Sequence, residues 1–261
     1  MKILFLDMDG TVLSHTQGKI PLSALQAIEK VQRKGIYVYG CTGRHLNELK
    51  QLPIQELKLD GWITTNGSLN YKADGTLLSD HPIEKETIYY LYEALKKDPF
   101  PVQFIEEKEM YMNMHSKIVE EYLAKIHSVQ DPLQPLERIL ENNIYMFIPW
   151  VKEDIFQKLK KHLVNVNCVR WNDYALDCIH INSGKQKGIE DVLQYHHLKK
   201  EDASSVGDGD NDFSMFQACG LNVAMGNASE ELKKHADFVT THIDEDGLAN
   251  AIEYLLNKQS C

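Results

Sequence analysis

The chain has 261 residues, 43% of them hydrophobic and 25% charged, which supplies a large core and an ordinary soluble surface. Its net charge of −10 argues against a nucleic-acid backbone as partner, because that binding draws on a surplus of Lys and Arg. A small phosphorylated metabolite stays open, since an acidic protein can still carry a locally positive site.

Ile3 to Leu6 is the first apolar run, and Asp7 interrupts it. It is too short for a signal peptide or a membrane span, so no membrane partner is expected. The cysteines are Cys41, Cys168, Cys178, Cys219 and Cys261, odd in number and without a C-x-x-C pair. That usage reads as reduced, mostly structural thiols in a cytoplasmic protein.

Lys2 to Leu6 reads as a buried strand. Pro21 to Lys34 reads as a helix with Leu22, Leu25, Ile28 and Val31 on one stripe, opened by Pro21 and stopped by Gly35. Ile36 to Cys41 is a second strand, Arg44 to Leu52 a helix ended by Pro53, and Leu59 to Thr64 a third strand. Strands alternating with helices imply a parallel sheet covered on both faces. Ser68 to Leu78 resembles a hairpin turning at Asp74-Gly75.

The rhythm then changes to short strands mixed with helices, near Glu84 to Lys97, Lys117 to His127 and Glu153 to Leu163. From Lys185 the first rhythm resumes. A helix carries Ile189, Val192 and Leu193, the strand "ASSV" ends at Gly207, a helix runs from Asn211 to Ala218, and "LNVAM" is another strand. The last helix carries Leu248, Ala251, Ile252 and Leu255. The expected fold is α/β, with a Rossmann-like parallel-sheet core built from residues 1–80 and 184–261. An α+β domain is inserted at residues 81–183, since an exposed loop tolerates such an insertion.

In open parallel sheets, ligands bind beyond the carboxyl ends of the strands. Four polar segments follow predicted strands: "DMDGT", "CTGR", "TTNGS" and "VGDGDNDF". Asp7 and Asp9 repel each other unless a proton or a cation lies between them. Asp208, Asp210 and Asp212 form a second acidic group. An EF-hand loop would need Gly and Glu where Phe213 and Cys219 stand, so that reading fails. If the two acidic ends meet, they make an oxygen-rich site that suits Mg²⁺, which bridges carboxylates and phosphate.

Thr42 and the Gly43 amide precede a helix, a natural place for an anion. Lys187 lies near a helix start, where the dipole disfavours a cation, so the choice is a surface lysine or one with a phosphate partner. Asn66-Gly67 reads either as a tight turn or as a substrate contact, and Arg44 as a partner for an anionic substrate group or for an acid. His180, His196 and His197 show no metal-ligand pattern, and Trp150 and Trp171 are assigned to the core of the inserted block.

"DMDGT", "CTGR", "KG" and "GDGDND", in this order, resemble the motifs of the haloacid dehalogenase superfamily. The layout resembles its Cof-like branch, whose α/β cap is inserted between the second and third motifs. Gly209 stands where that family commonly has Ser. The resemblance implies that Asp7 attacks phosphorus to give an aspartyl-phosphate. It implies that Asp9 handles the proton and offers its backbone carbonyl to Mg²⁺, while Asp7, Asp208 and Asp212 complete the metal site. Thr42, Gly43 and Lys187 would hold the phosphoryl oxygens, and Asn211 would orient the phosphate or Lys187. Lys185 lies two residues away, but the Lys-Gly pairing of the family favours Lys187. Arg44, Asn66 and Gly67 would lie toward the substrate.

The implied activity is a Mg²⁺-dependent phosphatase of small phosphorylated metabolites, sugar phosphates first, with the cap closing over the substrate. The alternatives are a hexose-phosphate mutase and, from another class, a catalytically idle ligand-binding protein. The idle reading predicts loss of Asp7, Asp9 or the Asp208 group, and all are present.

Overall fold

The computed structural model describes residues 1–125 and 129–258. Cys261 and the end of the helix expected at Lys117 to His127 lie outside the described residues. The chain divides into two compact units, Met1–Asp80 with Ser183–Cys261, and His81–Asn182.

In chain order the first unit begins with β1 (Ile3–Asp7), α1 (Leu22–Gln32), β2 (Tyr37–Cys41), α2 (Leu46–Leu49), β3 (Gly61–Thr64), β4 (Leu69–Lys72) and β5 (Leu77–Asp80). The second unit holds α3 (Lys85–Lys97), β6 (Val102–Ile105), β7 (Met110–Met112), α4 (Lys117–Lys125), α5 (Arg138–Glu141), β8 (Met146–Pro149), α6 (Glu153–Lys160), β9 (Val166–Arg170) and β10 (Leu176–His180). The first unit resumes with α7 (Lys185–Tyr195), β11 (Ala203–Gly207), α8 (Phe213–Ala218), β12 (Leu221–Ala224), α9 (Glu230–Lys234), β13 (Phe238–Val239) and α10 (Gly247–Lys258).

The first unit is one sheet in the order β13-β12-β11-β1-β2-β3-β4-β5. Its strands are parallel from β13 to β3, and β4 and β5 add an antiparallel hairpin at one edge. β1 sits in the middle, so Ile3, Leu4, Phe5 and Leu6 are all completely buried. Burying each such side chain contributes about 1.5–3 kcal/mol. That is why β1 is an unbroken apolar run rather than an alternating one. β11, β1, β2 and β3 are neighbours, so the polar segments that follow them emerge side by side at one end of the sheet.

The second unit is a five-stranded antiparallel sheet in the order β7-β6-β8-β10-β9. One of its cores gathers Ile88, Leu91, Phe104, Phe147 and Cys178, and another gathers Ile105, Met112, Val119, Met146 and Trp150. The alternation of Met146, Phe147 and Ile148 between the two cores follows the period of a strand.

Two local expectations are corrected. The helix expected over Arg44 to Leu52 is only α2, and it begins at Leu46 because His45 caps it: the His45 ring accepts from the Asn47 amide, and Glu48 accepts from the His45 amide. The cysteines are not all thiols. Cys168 and Cys178 face each other across β9 and β10 and form a disulfide, a pairing set by strand register rather than by sequence spacing. Cys41 and Cys219 are free and buried, and burial pushes the Cys219 thiol up to about 12. No helix among the described residues is long and apolar enough to cross a membrane.

Candidate active site

Asp7 is the last residue of β1, paired in register with Cys41 at the end of β2. Asp208 follows the last residue of β11, the strand on the other side of β1. Parallel pairing therefore delivers the two acidic motifs to the same sheet end, although 200 residues of sequence separate Asp7 from Gly207. Carboxylate oxygens of Asp7, Asp208 and Asp212 all lie within 4.8 Å of one another.

Lys185 stands inside this group. Its ammonium donates to Asp7 Oδ1 and to Asp212 Oδ1, each at 2.6 Å, and its side chain is 2% exposed. Burial alone would lower the Lys185 pKa, but the two carboxylates outweigh it and raise it, so the amine stays charged. Asp212 uses its other oxygen to accept the backbone amides of Asp208 and Gly209. Those bonds tighten Asp210 to Asp212 into a 3-10 turn, so the helix expected from Asn211 starts only at Phe213.

Asp208 is held differently. Thr11 donates to its Oδ1 at 3.1 Å, and Asn227 donates to its Oδ2 at 3.2 Å. Gly10 makes room for it: at φ +90° no other residue is relaxed there, and a Cβ would fall 2.2 Å from Asp208 Oδ2.

Three carboxylates and one ammonium leave a formal charge of −2 in a largely buried space. The titrations respond accordingly. Burial pushes Asp7 well above the usual carboxylate range, with Asp212 and Asp208 adding to the shift and Lys185 opposing it. Asp208 is pushed up to about 6, by burial and then by Asp212. Clustered oxygens short of positive charge fit a hard divalent cation such as Mg²⁺.

The structure differs from the sequence expectation at the lysine. Lys187 is half-exposed and pairs with Asp191, one turn further along α7. Lys185 and Gly188 are three residues apart and share a helix face, whereas Lys187 points elsewhere. The glycine of the Lys-Gly pair does belong to the site. A Cβ on Gly188 would lie 2.6 Å from Ile63 and 2.9 Å from the Asn70 carboxamide oxygen. Its absence lets α7 lie against the end of β3, which brings Lys185 to Asp7.

Asp9 lies beside the carboxylate group but outside it. Arg44 grips it with two hydrogen bonds, and His15 Nε2 lies 3.2 Å from Asp9 Oδ1. Arg44 thus takes the acid-pairing reading. Thr42 is buried, and its hydroxyl accepts from the Arg44 amide at 3.1 Å. Gly43 adjoins Asn66: a Cβ there would meet the Asn66 carboxamide at 3.1 Å. Asn66 donates its amide to the Thr42 carbonyl, and Thr65, Asn66 and Gly67 all have positive φ. Gly67 touches Gly184 and Lys185, so the Asn-Gly turn joins the β2 segment to the start of α7. Asn211 is exposed beside Gly209, and its side chain is not among the partners of Lys185.

Sequence reasoning passed over Lys185 in favour of its neighbour, and did not single out Thr11, His15 or Asn227. For Lys185 the signal was available, in its three-residue spacing from Gly188. Asn227 sits in "AMGNAS" after β12 and carries no charge that would draw notice.

The family profile of haloacid dehalogenase-like hydrolases matches residues 4–252. The Bacillus subtilis (strain 168) protein YkrA is 29% identical over 257 residues, spanning 97% of this chain and 97% of its own. Among solved structures, a phosphatase of the haloalkanoate (HAD) superfamily from Bacteroides thetaiotaomicron superposes with a TM-score of 0.89 at 29% identity, covering 97% of this chain and 94% of its own. A HAD subclass IIB sugar phosphatase superposes with a TM-score of 0.83 at 29% identity, covering 98% and 99%. With a match over nearly its whole length, the chain belongs to the haloacid dehalogenase-like hydrolases.

Proposed function

We propose that the protein is a Mg²⁺-dependent phosphomonoesterase of small phosphorylated metabolites, with sugar phosphates as the first substrate class. The observation that carries this reading is the position of Asp7: it ends the central strand, faces Asp208, and has one oxygen held by a buried ammonium. That arrangement suits an anionic nucleophile working beside a dianionic substrate. The sugar-phosphate class leans on the superposed sugar phosphatase.

In this reading Asp7 attacks phosphorus, the bond to the leaving oxygen breaks, and Asp9 gives that oxygen a proton. Water then attacks the aspartyl-phosphate, Asp9 takes up a proton, and phosphate leaves with the Asp7 carboxylate restored. Lys185 replaces Lys187 as the ammonium that steadies the phosphoryl oxygens. The Thr42 hydroxyl and the Gly43 amide hold the same oxygens. Asp7, Asp208, Asp212 and the Asp9 carbonyl would hold Mg²⁺, Asp212 directly or through water. The ion would offset the charge of the cluster and polarise a phosphoryl oxygen.

Phosphate release from a panel of sugar phosphates, nucleotides and cofactor phosphates, with Mg²⁺ and with EDTA, tests the reading. Metal-dependent release that disappears in Asp7→Asn supports it. Folded protein that releases nothing from any of them rejects it.

A further inference from the structure

The carboxylates of the cluster are neutralised unequally. Asp7 and Asp212 share the Lys185 ammonium. Asp208 is held by neutral donors instead: the Thr11 hydroxyl on Oδ1 and the Asn227 carboxamide on Oδ2. A carboxylate has about four lone-pair positions. One donor on each oxygen fixes its plane, leaves lone pairs for a further ligand, and cancels none of its charge.

Asn227 does more than touch Asp208. The same Nδ2 donates to the Gly10 carbonyl at 2.8 Å, and Oδ1 accepts the Ile243 amide at 3.0 Å. One side chain therefore ties the loop after β1 to the loop after β11 and to the turn at Ile243. Its own orientation is set from the other side by Ile243, so its amide is fixed before any ligand arrives. Ser229 adds a backbone bond to the Asp208 carbonyl at 3.0 Å.

We propose that Asn227 is a positioning residue which, together with Thr11, orients the Asp208 carboxylate for a divalent cation. The inference rests on the reading that Asp7, Asp208 and Asp212 hold that cation. It adds Asn227, which lies outside the motifs that carry the family resemblance, and the hydroxyl of Thr11, the last residue of "DMDGT", and it assigns both to metal affinity rather than to chemistry at phosphorus. Partners that orient a metal ligand commonly change metal affinity ten- to a hundredfold when removed.

The test is Mg²⁺ titration of the full chain by calorimetry and by melting temperature, beside the Mg²⁺ dependence of phosphate release. The variants are Asn227→Ala, Thr11→Val, Thr11→Ser and Asp208→Asn. Thr11→Val keeps the side-chain shape and removes only the hydroxyl, so it carries the test even if Asn227→Ala folds poorly. Asn227→Ala and Thr11→Val are expected to weaken Mg²⁺ binding about tenfold or more, with kcat at saturating Mg²⁺ within a few-fold of wild type. Thr11→Ser is expected to restore the affinity. A merely structural role would lower the metal-free melting temperature and leave the Mg²⁺ affinity unchanged. Wild-type affinity in both Asn227→Ala and Thr11→Val, with affinity lost in Asp208→Asn, overturns the inference and spares the cation reading. A wild-type chain that takes up no Mg²⁺ overturns both.

Discussion

Arg44 holds Asp9 through two parallel hydrogen bonds, Nε to Oδ2 and Nη2 to Oδ1, each 2.8 Å long. Paired forks of this kind are among the stronger and more directional polar contacts. Here the pair fixes a carboxylate next to the cluster without admitting it. The Arg44 side chain is 32% exposed and that of Asp9 29% exposed, so solvent screens the pair and its share of stability is about 1 kcal/mol or less. Its consequence lies in function. In the proposed mechanism Asp9 exchanges a proton with the leaving group, and both of its oxygens are engaged until Arg44 yields one.

Asp9→Asn is therefore expected to lower kcat on an alkyl phosphate such as a sugar phosphate by at least about a hundredfold, the usual range for a general acid. On an aryl phosphate whose leaving group departs without a proton, the first step should fall far less. Equal losses on both substrates would remove Asp9 from the proton-transfer role. Arg44→Met should shift the melting temperature by only about 2–4 °C, in keeping with a half-exposed pair, while changing kcat/KM on the alkyl substrate. An unchanged kcat/KM would show the Arg44–Asp9 pair to be incidental.

Lys185 and Lys187 separate cleanly. Lys185→Met leaves Asp7 and Asp212 buried without their cation, and breaking a buried pair this way costs about 3–5 kcal/mol. A lower melting temperature in EDTA and a loss of kcat of at least about a hundredfold are expected. Lys187→Met removes only a half-exposed partner of Asp191 and should leave both nearly unchanged. The comparison is read by thermal unfolding and by steady-state kinetics. Greater damage from the Lys187 change would overturn the assignment of the ammonium.

This pair also marks how far the sequence could be read. The strand ends were legible, because β1 is an unbroken apolar run stopped by Asp7 and the segments after β2, β3 and β11 are polar. That these four strands are neighbours was carried by the resemblance, since apolar runs do not reveal strand order. The lysine was misread because adjacency to Gly188 was weighed over helical phase, although only Lys185 shares the face on which Gly188 approaches β3. Asn227 was invisible for another reason: a neutral side chain in a loop gains its importance from three partners far apart in sequence. The Cys168–Cys178 bond was hidden likewise, because it depends on the register between β9 and β10.

The titration of Asp208 gives a pH prediction with a definite sign. Its folded value is raised to about 6, above the ordinary carboxylate value, and Asp7 moves the same way. Between the two values the folded state binds more protons than the unfolded one. Metal-free stability from these groups is therefore greatest at low pH and is lost as pH rises through that window. Mg²⁺ competes with the same protons, so its stabilising effect should grow from about pH 5 to pH 7, by up to tenfold in affinity per unit for one proton released. Melting curves in Mg²⁺ and in EDTA across this range check both signs. An Mg²⁺-induced shift that is flat with pH would show that the cation does not bind at Asp208.

Gly188 offers a test of how backbone packing sets the chemistry. A Cβ at Gly188 would lie 3.3 Å from Gly67 Cα, with Ile63 Cγ2 and the Asn70 carboxamide oxygen closer still. None of these neighbours is a flexible chain end, since Ile63 is completely buried and Asn70 bonds to Ser79 and to the Gly67 carbonyl. Gly188→Ala must then push α7 away from β3. Overpacking of this kind costs about 1–3 kcal/mol, partly returned by the better helix propensity of Ala. The displacement acts on Lys185 one turn earlier, whose ammonium has two 2.6 Å bonds to lose. Activity should therefore fall by more than the loss of stability accounts for, measured at a temperature where both proteins are fully folded. If Gly188→Ala retains full activity there, the close approach of α7 to β3 is not what places Lys185.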